Sequence, residues 1–408
     1  MPTSQVYNQI LRLLNQHLHG LAQATLKRLA LLVVGIIGAE DGSPAQVAQA
    51  LHIMGLSQAT AESIERRIRR IENDPEITAA LCFHPLAQER LCWGRPQELL
   101  LVLDPTTQED RIVMLTAAVW YRGRALPLAW AIWPGNTPLT DKRFWARVEA
   151  LLDVVAKLLP AGVTITWLAD RAFGTPNFTD LVKNRGWHYV VRVQGGTHCR
   201  DKMGREYCIR DLVHLPGQRA KLRGQAFKKQ GWRESSMVVF WGRSYQTPLC
   251  LVSDLPPRWW LIRLYRRRYV IEATFRDYKS KGWCWEQGQV TKLAHIEHLL
   301  VGMALATWVA LFVGTQVAEE YLEKAATRMR LTKPWEGKFS LFHLGVLRIK
   351  EALSGSQPAT FVWRLCDWSA PNWQDQIHTA CVHVFLFGVP YAYEIVNILN
   401  PQLEPVRL

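Results

Sequence analysis

The 408-residue sequence predicts an α/β protein: a mixed sheet with helices, preceded by a helical region and interrupted by a β-rich insertion. Three observations carry this. Apolar residues recur at helical spacing through residues 1–95. From Glu98 onward, apolar runs of strand length alternate with one amphipathic helix and one short helix. Residues 195–255 then become rich in Gly, Lys and Arg, with short β-like pieces between turns. At 49% hydrophobic and 21% charged the chain is globular, with room for two or three domains.

In the first region, Ile10–Gly20 and Leu26–Ala39 show helical periodicity. Ser43 and Pro44 read as an N-cap followed by proline at the first helical position, opening a short helix over Ala45–Leu51. Gly55 turns the chain within His52–Ser57, and a basic helix follows over Ala59–Asn73 with Arg66, Arg67, Arg69 and Arg70. Helix, turn, basic helix is the outline of a helix-turn-helix that would contact DNA. A solvated face, with Glu62, Glu65 and Glu72 paired to those arginines, accounts for it equally well.

At Leu99–Leu103 a continuous apolar run reads as a buried strand that breaks at Asp104 and Pro105. Strands over Ile112–Tyr121 and Leu126–Trp133 follow, joined by a turn at Arg122, Gly123 and Arg124. Pro134–Pro138 is a loop and Arg143–Leu159 an amphipathic helix. Val163–Ala169 is a fourth strand ending on Asp170 and Arg171, Phe178–Arg185 a short helix and His188–Val193 a fifth strand. Met237–Trp241 and Leu249–Ser253 are the clearest β pieces of the insertion, since a structureless stretch of that length would be unusual. A basic helix spans roughly Trp259–Lys281, a long helix Ile296–Leu322 and a basic helix Lys338–Leu353. The tail from Pro358 is rich in Trp and Phe.

The organisation expected is therefore an N-terminal helical DNA-binding region over 1–95 and the first part of a catalytic core over 96–194. The β-rich insertion follows over 195–255 and the rest of the core, with its basic helix, over 256–322. A C-terminal region over 323–408 is assigned to dimerisation or DNA contact. The apolar runs Leu29–Ala39 and Leu299–Gly314 are shorter than the roughly 20 residues of a bilayer span and read as buried helices, so no membrane is expected. Eight cysteines without a C-x-x-C pair point to reduced thiols and a cytoplasmic setting.

The charge is uneven. Residues 258–281 hold eight Lys/Arg against two acids and residues 195–255 eleven against five, a net +12 of the chain's +14. That concentration points to a polyanionic partner, nucleic acid before anionic membrane. Within the basic helix, Tyr265, Arg268, Glu272 and Lys279 fall three, four and seven residues apart, which on a regular helix is one stripe. Arg and Lys suit phosphate oxygens, and a carboxylate among them suits a divalent metal. Alone, the stripe is equally an exposed face with an Arg268–Glu272 ion pair. Asp104 and Asp170, on neighbouring apolar strands, are the partners that change this. With Glu272 they make a hard oxygen site able to hold Mg²⁺ ions for phosphoryl transfer.

These residues resemble the DDE transposases of the IS4 type. Tyr265, Arg268, Glu272 and Lys279 match the family's Y-(2)-R-(3)-E-(6)-K signature at every spacing. Asp170 with Arg171 matches the second acid, and Asp104 after its apolar run the first. The resemblance implies an RNase H-like fold with the insertion before the last acid. It implies two Mg²⁺ or Mn²⁺ ions on Asp104, Asp170 and Glu272, with Tyr265, Arg268, Lys279 and Arg171 on DNA phosphates. It further implies strand cleavage at transposon terminal inverted repeats, strand transfer into target DNA, a homodimer on double-stranded DNA and a bacterial host. In some relatives a hairpin forms while a flipped base stacks on a Trp of the insertion. Here the aligned position falls on Cys250 or Leu251, and Trp241 and Trp232 are the nearby candidates for stacking. An RNase H-like nuclease, or a catalytically silent DNA-binding descendant of a transposase, are the competing readings.

Overall fold

The structure is a computed structural model and describes residues 2–93, 95–288, 290–327, 339–365 and 368. The chain begins with six helices: α1 (Pro2–His17), α2 (Gln23–Ala39), α3 (Pro44–Ile53), α4 (Ala61–Glu72), α5 (Ala79–Cys82) and α6 (His84–Cys92). Their buried stripes, such as Val6, Ile10, Leu13 and Leu14 on α1, recur at the three-to-four-residue spacing of a helix face. Pro44 stands at the first position of α3, with Ser43 at the N-cap. Thr60 caps α4 by accepting from the Ser63 amide.

A meander follows: β1 (Glu98–Gln108), β2 (Ile112–Tyr121) and β3 (Arg124–Pro134). Arg122 and Gly123 join β2 to β3 with φ of 45° and 86°. Two successive positive φ values make the tight turn whose twist suits an antiparallel pair, and a glycine carries one of them without strain. Next come α7 (Asp141–Leu158), β4 (Thr164–Ala169), α8 (Pro176–Lys183) and β5 (His188–Arg192). β1 pairs with β4 and β4 with β5 in parallel, whereas β1, β2 and β3 are antiparallel.

The Gly- and Arg-rich stretch supplies β6 (His198–Asp201), β7 (Glu206–Cys208), β8 (Arg219–Ala226), β9 (Arg233–Phe240) and β10 (Leu249–Ser253). These strands do not form a separate sheet. β10 pairs with β5, so one ten-stranded sheet runs in the order β3-β2-β1-β4-β5-β10-β9-β8-β6-β7. β9 and β10 are buried over most of their length, which is what continuing a central sheet demands.

The basic stretch then crosses the sheet. α9 (Trp260–Arg266) packs on β5 and β9, a 3-10 turn (Arg267–Tyr269) on β4, and α10 (Val270–Arg276) on β1 and β3. A π-helical turn over Asp277–Lys281 ends it. The long α11 (Leu293–Thr327) is apolar all round and packs against α2, α12 (Leu341–Ser354) and β3. Its Leu293–Glu323 portion is long and apolar enough to cross a membrane, but 89% of its most apolar window is buried within the protein. The six described cysteines are free thiols; Cys366 and Cys381 lie outside the described residues, as does most of the Trp- and Phe-rich tail.

Several expectations are corrected. β1 does not break at Asp104 and Pro105 but runs on to Gln108, with Pro105 opposite Leu115 of β2. Pairing to β4 has already ended at Leu103 and Ala169, so β1 has a single neighbour there, the edge setting in which a strand accommodates proline. The basic segment is not one regular helix, because the 3-10 and π turns change its pitch. The expected outline of helix, turn and basic helix is kept, with α3 and α4 joined over residues 54–60.

Candidate active site

Parallel pairing between β1 and β4 stops at Leu103 and Ala169. Asp104 and Asp170 are each the next residue, so register alone sets the two carboxylates side by side where the strands part. Asp170 leaves β4 and caps the short 3-10 turn Arg171–Phe173, its Oδ1 accepting from the Ala172 amide at 2.8 Å. Asp104 stays on β1 and points to the helical segment above.

That segment delivers Arg268. One guanidinium nitrogen donates to Asp104 Oδ2 at 2.9 Å and the other to Glu272 Oε1 at 3.0 Å. Arg268 Nε is buried without a partner, and the guanidinium lies 4.9 Å from the centre of the Tyr269 ring. Two acids from separate parts of the chain thus share one arginine, and the charge of Asp170 acts on it as well. The Arg268 side chain is 9% exposed and that of Asp104 13%, whereas Glu272 is 54% exposed. Burial pushes the Asp104 carboxyl up to about 7; Arg268 opposes this, and the neighbouring Asp170 and Glu272 add to it. Arg268 is moved the other way. Burial works against its charge, but Asp104, Tyr265, Glu272 and Asp170 together raise its pKa above the usual value.

The expectation that Glu272 stands apart from Arg268 is therefore corrected: the two are an i, i+4 ion pair. The reason is local. The 3-10 turn buries Arg268 under the helix, and its fork reaches both an acid on the sheet and one on its own segment. Tyr265 is buried, and its hydroxyl is pushed up to about 12, chiefly by that burial. Lys279 sits in the π turn, which carries an extra residue per turn and rotates it off the stripe. It pairs with Glu286 at 3.0 Å.

Of the other candidate residues, Arg171 is exposed beside Asp170. On α4 all four arginines are exposed, Arg66 paired to Glu62 and Arg69 to Glu65. The solvated-face reading holds for those two pairs. Cys250 and Leu251 are buried in β10 and offer no surface for a base. Trp241 donates its indole N–H to the Tyr245 carbonyl at 2.8 Å, and Trp232 carries Arg200 over its ring at 4.5 Å. Sequence reading missed Tyr269, whose ring backs Arg268. Its signal was an aromatic directly after the signature arginine.

Three carboxylates around a buried site are the donors a hard divalent cation takes. Asp170 and Glu272 add to the rise that burial causes in the Asp104 pKa, and such a cation relieves that repulsion. As placed, no three His, Cys, Asp or Glu side chains among the described residues are close enough to share a metal, because Arg268 stands among the acids. The donor chemistry fits, with Arg268 holding the positive charge.

Residues 146–309 match the family of transposase DDE domains. The match covers less than half of the chain. It takes in β4, the insertion strands and the whole basic segment, hence Asp170, Arg268 and Glu272, and begins after the strand that carries Asp104. No curated protein matches the sequence. Among solved structures the chain is similar to the piggyBac transposase synaptic complex with hairpin DNA. The identity is 10% and the TM-score 0.44, over 100% of this chain and 85% of that one.

Proposed function

We propose that the protein is a DNA transposase that cleaves strands at the ends of a mobile element and joins them to target DNA, by cut-and-paste. The observation that carries this reading is that Arg268 bonds both Asp104 and Glu272 and is influenced by the charge of Asp170, inside a chain whose residues 146–309 match the DDE domain. Asp104, Asp170 and Glu272 would hold Mg²⁺ or Mn²⁺. A bound divalent ion supplies activation of the attacking oxygen and charge neutralisation at the scissile phosphate.

The chain's own residues do the rest. Asp104 and Asp170 are fixed by the sheet, so a phosphodiester is positioned against rigid ligands rather than loops. Glu272 is more than half exposed, so an incoming DNA strand can reach it. The unpartnered Arg268 Nε–H is a buried donor awaiting an oxygen acceptor, which a phosphate provides. Arg171, exposed next to Asp170, extends that grip along the backbone. The partner is double-stranded DNA, with two copies of the chain acting on two ends.

Terminal inverted repeats bracketing the coding sequence would supply the substrate. With a labelled duplex carrying such an end and Mg²⁺, the native protein should cut at the repeat boundary and Glu272→Gln should not. Equal cutting by both proteins would refute the assignment.

A further inference from the structure

We propose that the face of β8 bearing Arg219 and Lys221, with the start of the basic segment, forms a second contact for the phosphate backbone of duplex DNA, separate from the carboxylate cluster. Arg219, Lys221 and Arg223 alternate along β8 and so share one face of the sheet. Their partners across the ladder are Phe240, Val238 and Ser236 of β9. The basic segment lies over that same face, since Arg266 covers the Phe240 ring at 5.7 Å. Trp259, just before α9, takes Arg219 over its ring at 4.7 Å and Lys221 at 5.3 Å.

Arg223 is satisfied by Ser236 Oγ and the Asp254 carbonyl. Arg219 and Lys221, by contrast, form no ion pair with a described residue, and neither do the exposed Arg258, Arg263 and Arg266. Elsewhere in the insertion Arg205, Arg210, Lys228 and Arg233 pair with Asp201, Asp211, Glu206 and Asp180, while Arg200, Lys202, Lys229 and Arg243 form no ion pair with a described residue. Among the unpaired cations of the insertion, Arg219 and Lys221 are the two seated on Trp259, against the basic segment. Stacking on Trp259 holds the Arg219 and Lys221 heads in place, lowering the side-chain entropy lost when a phosphate binds.

The geometry sets the ligand's size. From β1 to β8 the sheet order gives five strand steps, roughly 24 Å at about 4.8 Å each. A B-form duplex covers that in roughly seven base pairs, at about 1.7 Å of axis per charge. A duplex cut at Asp104 and following the basic segment would thus lay its backbone on β8. Neither a lone nucleotide nor a small anion spans the distance.

The proposal rests on the transposase reading only in its choice of partner. Its test is binding of the full-length protein to a 30-base-pair duplex by fluorescence anisotropy across a salt series. Wild type should show a steep slope of log K against log salt. Arg219→Ala with Lys221→Ala should lower the slope by about 1.8, near 0.9 per lost phosphate contact, and weaken binding roughly ten- to sixtyfold near 0.1 M salt. The swapped pair Arg219→Lys with Lys221→Arg keeps both charges and should restore the slope, separating a charge contact from misfolding. An unchanged slope in the double alanine variant, with wild type binding normally, overturns this second contact alone. Failure of wild type to bind duplex DNA at all overturns the transposase reading with it.

Discussion

Asp104 and Arg268, 164 positions apart in sequence, share a buried hydrogen bond of 2.9 Å that ties the central strand to the segment crossing above it. Burial outweighs that bond in setting the Asp104 carboxyl near 7, so the pair is held under electrostatic tension. Removing only the guanidinium should be costly. Arg268→Ala is expected to lose about 1–3 kcal/mol of stability near pH 8, because it strands a desolvated carboxylate. Near pH 5 the loss should shrink, since Asp104 is then protonated. A double-mutant cycle with Asp104→Asn, read by urea denaturation, should return a coupling of about 1 kcal/mol or more. Simple additivity would mean the bond contributes nothing.

Glu272 and Asp104 should separate function from stability in opposite ways. The Glu272 side chain is more than half exposed, so its ion pair with Arg268 is worth about 0–1 kcal/mol. Glu272→Gln should therefore melt within a few degrees of wild type while cutting no DNA. Asp104→Asn removes a desolvated charge and its repulsion from two other acids. It should be equally inactive yet as stable as wild type or more so, as expected where a site trades stability for chemistry. A strongly destabilised Asp104→Asn, measured by denaturant midpoint near pH 8, would show that the carboxylate is needed for packing instead.

The sequence made the local elements legible and the long-range joins illegible. β2 matches its expected span of Ile112–Tyr121 because its apolar run and the Arg122–Gly123 turn are both local signals. The position of Pro105 inside β1 could not be read, since it depends on where β4 stops pairing. Nor could the pairing of β10 to β5, which joins the insertion to the central sheet. At the site, spacing singled out Asp104, Arg268 and Glu272, which the fold brings into contact. It could not show that Arg268 bonds both Asp104 and Glu272, nor that a π turn carries Lys279 away to Glu286. Both follow from helix pitch and burial rather than from residue type.

Asp277 gives the fold a pH dependence of predictable sign. It is buried against β3, where it accepts from Arg124 at 2.9 Å, and burial pushes its carboxyl up from 3.8 to about 6 despite that arginine. A folded-state pKa above the unfolded one means that folding takes up a proton. The contribution is fully present below about pH 3.8 and is lost as pH rises through about 6. The shift amounts to roughly 2–3 kcal/mol across that window. Asp277→Asn cannot titrate, so wild-type stability minus variant stability should fall between pH 4 and pH 7. A difference that stays flat in urea denaturation over that range would contradict the assignment.

Gly314 on α11 and Gly345 on α12 allow the two helices to meet backbone to backbone. A Cβ on Gly314 would stand 1.8 Å from the Leu341 carbonyl oxygen, and one on Gly345 would stand 1.7 Å from that of Ala310. The obstruction is main chain on both sides, so no rotamer change relieves it and the helices must separate. In an exposed helix, glycine to alanine would stabilise by up to about 1 kcal/mol. Here each of Gly314→Ala and Gly345→Ala should instead cost about 3 kcal/mol or more, through overpacking and the loss of the apolar contacts of α12. Because each substitution disrupts the same contact, the double variant should lose clearly less than the sum of the two. Stabilisation by either substitution, measured by denaturant midpoint, would mean the helices are not in backbone contact.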